Sequence, residues 1–313
     1  MMREIFPNIG TPQTLGEVLT AINCDFEAEQ VPIHHIVPAA AAGLTVPEEI
    51  PGYSLIRRKD SFAPLGVNSA RYGLAQYKDT LSFLNDIVGS KEASFQSAVA
   101  TDNGARIYIA MKAPNTIVFA PGDEIECFYT ASTSHDGTGS IQLMFSPVHK
   151  KSQTILTSLD SGIIKMRHTV KVKDRLARAS GTVAKMQEVW SRHADQFSKF
   201  AGLPVTDDDI RGYFAMIVPS DAIEVHPRTQ NVRDKLFDIY KTGMTAQLPS
   251  CKDTLLGGFV AALIFGDYYK SVRHSIVGRS EKDAMIESRL TGTTARFKAD
   301  AFAACLKIAR LGA

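Results

Sequence analysis

An α+β fold is expected from three features of the sequence. Between residues 95 and 145, runs rich in β-branched and aromatic residues flank turn dipeptides, the pattern of antiparallel hairpins. From about residue 170 onward the apolar residues recur at helical spacing. Strands and helices are therefore segregated along the chain and do not alternate, which separates this fold from a parallel α/β sheet.

Residues 1–52 read as an N-terminal arm, interrupted by Pro7, Pro12, Pro32, Pro38, Pro47 and Pro51. A short helix fits at 14–22, with Thr14 as N-cap and Glu17 at the capping-box position. Residues 53–200 read as the α+β core. Residues 77–88 place Leu81, Leu84, Ile87 and Val88 on one helical face. Residues 95–100 and 105–111 form a hairpin across Asn103-Gly104, and 125–133 pairs with 140–145 across 135–139 (HDGTG). A helix is expected over 171–200, weakened by Gly181 and ended by Gly202-Leu203-Pro204. Residues 201–313 are a helical C-terminal region. Thr206 with three aspartates opens its first helix, further helices follow at 231–243 and 253–274, and 283–311 is one helix or two split near Thr291-Gly292.

Composition removes several classes of protein. With 44% hydrophobic and 22% charged residues the chain is ordinary globular material, neither disordered nor fibrous. The longest apolar candidate, 255–265, is about half a membrane span, so no transmembrane helix and no membrane partner are expected. Residues 1–10 lack the apolar core of a secretory signal. Cys24, Cys127, Cys251 and Cys305 lie far apart with no CxxC pair, so they are expected to be reduced, in the cytoplasm, with no zinc site.

The net charge of +2 conceals a marked asymmetry. Residues 149–199 carry 11 Lys and Arg against 4 Asp and Glu, whereas residues 1–148 carry 9 against 16. Such a concentration is what a polyanion site requires, although a solvated helix face balanced by acids elsewhere has the same composition. Lys165, Arg167, His168, Lys171 and Lys173 are spaced for phosphate contacts more than for proton transfer. Tyr72, Tyr77, Tyr108, Phe128 and Tyr129 in the adjacent sheet region could stack on bases, or could be core.

Other chemistry is sparse. GxxxxGK[ST], HExxH, GxSxG and GxGxxG are all absent, and no cofactor is expected. His34-His35 is the most metal-like pair, but adjacent histidines on an extended arm point apart, no carboxylate or thiol follows at ligand spacing, and no metal site is expected there. His135-Asp136 admits an acid/base reading, but as turn residues they have a local reason to be there. Gly257 and Gly258 would permit close helix approach, in the core or between subunits.

The order of motifs resembles a known family. Leu65-Gly66-Val67 through Tyr72, Asn103-Gly104-Ala105-Arg106-Ile107, Ser134-His135-Asp136-Gly137, Ser146-Pro147-Val148-His149 and Arg167-His168-Thr169 follow one another as in the phage/plasmid-like proteins that share domain of unknown function 932. Arg289, Gly292 and Lys298 are similar to that family's closing pattern, and the resemblance spans roughly 53–310. The chain departs from the pattern at His149, where the family has Arg, and at Lys151-Ser152-Gln153, where it has Cys and Asn. The resemblance implies a phage or plasmid setting. By analogy of architecture and setting it points to proteins that anneal single strands, including through rings or filaments.

The first expectation is therefore a non-enzymatic single-stranded DNA-binding and annealing protein of recombination or replication, acting as a homo-oligomer with host or phage recombination proteins. Lys150, Lys151, Lys165, Arg167, His168, Lys171, Lys173, Arg175 and Arg178 are the residues expected at the phosphates. One alternative is a structural or host-interacting protein without nucleic-acid activity. The other is a metal-dependent nuclease built on His135, Asp136 and His168, with Asp123, Glu124 or Glu126 as further ligands.

Overall fold

The computed structural model describes residues 7–38, 45–69, 71–155, 162–168, 182–220, 225–243, 246–272 and 279–310. The fold is α+β: two antiparallel sheets in the N-terminal half and a mostly helical C-terminal half.

The N-terminal helix α1 (Leu15–Ala21) starts as its sequence predicts, with the Thr14 side chain accepting from the Glu17 N–H. The smaller sheet follows, with strand order β1 (Ala28–Pro38), β2 (Thr45–Arg58), β3 (Pro64–Ser69). Its existence corrects the expected domain boundary, because β2 runs through position 52 and carries the supposed arm into the sheet. The prolines are tolerated because β3 pairs only with residues 53–57 of β2. Beyond that point β1 and β2 form a two-stranded ribbon in which each strand has a free edge, and a missing donor need not break a ladder. His34 opposes Glu49 and His35 opposes Glu48 on successive rungs, so the two imidazoles face opposite sides.

The segment expected as one helix at 77–88 is two: α2 (Tyr77–Thr80) and α3 (Phe83–Gly89). The Thr80 hydroxyl bonds back to the Gln76 and Tyr77 carbonyls and Ser82 Oγ to that of Asp79, which competes with the helical ladder between them. Leu81, Leu84 and Ile87 are nonetheless buried together, as the period requires.

The larger sheet has the path β10-β7-β6-β5-β4, with β4 (Ser94–Thr101), β5 (Arg106–Ala120), β6 (Asp123–Ser134), β7 (Ile141–Phe145) and β10 (Gly162–Met166). Two short strands, β8 (Val148–His149) and β9 (Thr154–Ile155), attach at the start of β6. Both expected hairpins are present. One face of the sheet carries Ile107, Ile109, Ala131, Ile141, Leu143 and Ile164 into the main core. The other carries Tyr108, Ala110 and Phe128 into a small cluster with Ile286 and Leu290.

The helices are α4 (Thr182–Ala201), α5 (Asp207–Ile217), α6 (Pro227–Thr242), α7 (Leu255–Ile264), α8 (Glu281–Leu290) and α9 (Thr293–Ile308), with a wider turn at Phe265–Tyr269. α5 opens on a capping box between Thr206 and Asp209. α7 is buried nearly throughout. A Cβ on Gly257 would stand 1.8 Å from the Cys251 carbonyl oxygen, and one on Gly258 2.7 Å from Ile210, so the close approach of this helix is internal. Residues from α1, the larger sheet, α4 to α7 and α9 share the main core, which also crosses the boundary expected at 200/201, while Ile286 and Leu290 of α8 belong to the small cluster. Among the described residues no helix is long and apolar enough to cross a membrane, and the four cysteines are free and buried.

Candidate nucleic-acid interface

The turn between β6 and β7, Ser134-His135-Asp136-Gly137-Thr138-Gly139, is held from several sides. The His135 N–H donates to the Ala105 carbonyl at 2.7 Å. The Tyr72 hydroxyl donates to the Ser134 carbonyl at 2.9 Å and Asn68 Nδ2 to the His135 carbonyl at 3.0 Å. Inside the turn the Asp136 carboxylate accepts from the Thr138 N–H and hydroxyl, both at 2.9 Å. Gly137 has φ +76°, and a Cβ there would collide with the Asn68 amide. Gly66 on β3 is as constrained, since its Cβ would lie 2.5 Å from Asp136 Cα. The small sheet is thus clamped onto the turn of the large one.

Arg106 neutralises this turn from within. Its guanidinium is 7% exposed and bridges Asp136 at 2.7 Å and Glu287 of α8 at 2.7 Å, with Thr138 Oγ1 also bonded. Glu287 also pairs with Arg279, which is bonded through Nε and Nη2 to Asp102 at 3.0 and 2.8 Å. Burial works to raise the Asp136 pKa. The Arg106 charge, the Thr138 N–H and the Ser134 hydroxyl outweigh it and hold the carboxyl below its ordinary range.

Above the turn lies a cleft of about 750 Å³ between β3, the 136–140 loop and residues 165–168. Three cationic side chains, Arg71, Lys165 and Arg167, line it and are exposed. Among the described residues that line it, the one carboxylate, Asp136, already has its counter-charge in Arg106. Among the described lining residues, cationic side chains therefore outnumber the carboxylate. A second, smaller pocket of about 330 Å³ opens from the same loop and shares Thr138, Gly139, Ser140 and Lys165 with it.

The structure divides the residues expected at phosphates. Lys165, Arg167 and His168 come to the cleft. Lys150 and Lys151 do not: the Lys150 N–H bonds the Glu124 carbonyl, nine residues before Thr133 along β6, or roughly 30 Å at strand rise. Lys150 Nζ is also paired with the Glu124 carboxylate at 2.7 Å. The expectation of one continuous basic surface is corrected to that extent, because a strand separates ends that the sequence places close together. Lys171, Lys173, Arg175 and Arg178 lie outside the described residues. Arg71 was not found from sequence, since it stands alone outside the basic segment.

His168 is a wall of the cleft with little reach into it. It is 8% exposed, stacks on Tyr72 with ring centroids 5.3 Å apart, and shares a 3.0 Å hydrogen bond between Nε2 and Thr133 Oγ1. His135 is buried beneath the turn, stacked on Tyr77 at 4.1 Å. Burial pushes its pKa down to about 3, with His168 adding to the effect against Asp136. Burial likewise brings His168 to about 4. The acid/base pairing of His135 with Asp136 is corrected accordingly: the ring points into the core while the carboxylate turns to Arg106. The aromatics considered as stacking platforms are buried too, Tyr72 being the most open at 9%. Asp123, Glu124 and Glu126 stand at the far end of β6 from Asp136. Among the described residues no group of three or more His, Cys, Asp and Glu side chains is placed to hold a metal ion.

A buried polar cluster went unnoticed in the sequence because its members lie far apart along the chain. His149 Nδ1 is 3.0 Å from Ser152 Oγ, and its Nε2 is 3.8 Å from Asp123 and 4.0 Å from Cys251 Sγ. Asp123 accepts from the Ser250 N–H at 2.8 Å and hydroxyl at 2.6 Å. Cys, His and Asp together suggest a thiol nucleophile. Yet all three are buried, and burial pushes the Cys251 thiol up to about 12. The cluster satisfies buried polar groups where the segment leading into α7 meets β6 and β8.

Fold and cleft together define an α+β protein with a cationic cleft built on a hairpin turn. Residues 64–284 match the model of the domain of unknown function DUF932, and the chain belongs to that family. No curated protein and no solved structure matches it.

Proposed function

We propose that this protein binds single-stranded DNA through the cleft at the 134–140 turn and pairs strands without a chemical step of its own, as an oligomer serving phage or plasmid recombination. The observation that carries the reading is the convergence of Arg71, Lys165 and Arg167 around a turn whose only carboxylate is already neutralised. Phosphate binding needs this arrangement: fixed cations at an open cleft, with the local anion cancelled from behind. Base pairing itself would drive annealing, so no nucleotide hydrolysis is needed.

Salt dependence tests it. Three phosphate contacts to a single strand give a slope near −2, so affinity for a labelled oligonucleotide should fall roughly 20-fold between about 50 and about 200 mM salt. Lys165→Ala and Arg167→Ala should each flatten that slope by somewhat under one. Equal affinity at both salt concentrations, or slopes unmoved by both substitutions, would remove the reading. Absence of any binding at low salt would favour the structural, host-interacting alternative.

A further inference from the structure

The smaller pocket is a different chemical environment from the cleft that it adjoins. Its floor is a row of side chains on one face of the large sheet. Tyr108 on β5 opposes Ser132 on β6, Ser132 opposes Gln142 on β7, and Gln142 opposes Lys165 on β10. Antiparallel partners point to the same side, so these four form one polar ladder across four strands. The same face is apolar further along, where Ile286 and Leu290 of α8 cover it. At the ladder α8 contributes Glu287 and Thr291 as a wall.

The lining selects among ligands. Arg106 and Glu287 are already ion-paired with each other and with Asp136 and Arg279, so among the described residues a bare phosphate would meet only Lys165, which this pocket shares with the cleft. An apolar ligand would strand hydroxyls and an amide without partners. Arg106 Nε is buried with no hydrogen-bond partner among the described residues, a donor that a ligand acceptor would satisfy. A neutral, flat group with both donors and acceptors satisfies these conditions. At about 330 Å³ the pocket is at the lower end of small-molecule sites and holds one ring system, not a base pair held in a duplex.

We propose that this inner pocket takes a single nucleobase of the bound strand, turned in from the backbone, and so makes the cleft selective for unpaired nucleotides. The inference rests on the cleft binding a strand. Lys165 belongs to both spaces, so a phosphate held at its ammonium leaves the attached base at the mouth of the ladder. Ser132 and Gln142 then meet the base edge, and a base already paired in a duplex is excluded unless it is first extruded.

The test compares natural oligonucleotides with strands of the same length carrying abasic residues, which keep every phosphate. With the unmodified protein, abasic strands should bind about tenfold more weakly at unchanged salt slope, the value of one or two hydrogen bonds. Gln142→Phe, which fills the pocket, should weaken natural strands by a similar factor and abolish the difference between the two strands. Equal binding of natural and abasic strands by the unmodified protein, with a steep salt slope, would overturn the base pocket while leaving the cleft intact. No binding of either strand at low salt would overturn both.

Discussion

Lowering the pH from 7 to 5 should remove about 6 kcal/mol of folding stability through three buried histidines. His135 and His168 lie beneath the cleft. His193 sits in the main core, its ring 4.7 Å from Phe145 and 5.5 Å from Phe302, with Nδ1 2.8 Å from the Val189 carbonyl oxygen. Burial is the first cause in each case, and it holds the three near pKa values of about 3, 4 and 4. In the unfolded chain each returns to about 6.5. The folded values are depressed, so below pH 6.5 the unfolded state binds more protons and stability falls as the pH falls, until the folded values are reached. Integrating over pH 7 to 5 gives about 2 kcal/mol per histidine. The sum is comparable with the whole stability of many domains. Asp123 and Asp136, held below their ordinary range, add their losses only at lower pH. Denaturant midpoints at pH 7, 6 and 5 measure the effect, and His193→Phe should remove about a third of it. A midpoint that does not move between pH 7 and 5 would show that these rings are not buried and neutral, and the account of His135 would go with it.

Other perturbations report on the supports of the cleft. Arg106→Met leaves Asp136 and Glu287 without their counter-charge and should cost about 3–5 kcal/mol, read by chemical denaturation, while Arg106→Met with Asp136→Asn and Glu287→Gln recovers part of that loss. Gly66→Ala forces a methyl group against the Asp136 backbone and should cost about 1–3 kcal/mol, together with strand affinity. Lys298, wholly buried between Asp267 at 2.5 Å and the Ile155 carbonyl at 3.0 Å, ties α9 to β9. Lys298→Met should therefore destabilise by about 3–5 kcal/mol, and an undiminished denaturation midpoint would refute that role. Lys150→Ala, at the other end of β6, should leave strand affinity and salt slope unchanged.

Local chemistry made many elements legible. Thr14 and Thr206 mark helix starts because a hydroxyl two or three residues from an orphan N–H needs no tertiary partner. Asp102, Asn103 and Gly104 form the β4–β5 turn because these residue types tolerate positive φ, and the three take φ values of 53°, 58° and 89°. The 77–88 helix was less legible: its apolar period survives, but Thr80 and Ser82 break it by bonding backward. The arm failed as an expectation because prolines signal a break only where a strand needs both of its ladders, and β1 and β2 do not.

Of the candidate site, Ser134 to Gly139 and Lys165 to His168 stood out in the sequence as a turn motif and a basic run. That they share a cleft depends on β7 lying between β6 and β10, a pairing that one-dimensional spacing does not encode. Arg71, Gln142 and Glu287 carried no visible signal, since each stands outside the basic run and the turn motif. The amino-acid order alone determined strand and helix types, most turns and caps, and the excess of positive charge after residue 148, because these depend on neighbours within a few bonds. Tertiary structure decided which charges remain open to solvent, since that depends on partners brought from distant parts of the chain. Arg106 is silenced by Asp136 and Glu287, Lys150 is paired with Glu124, and Lys165 is left facing the cleft.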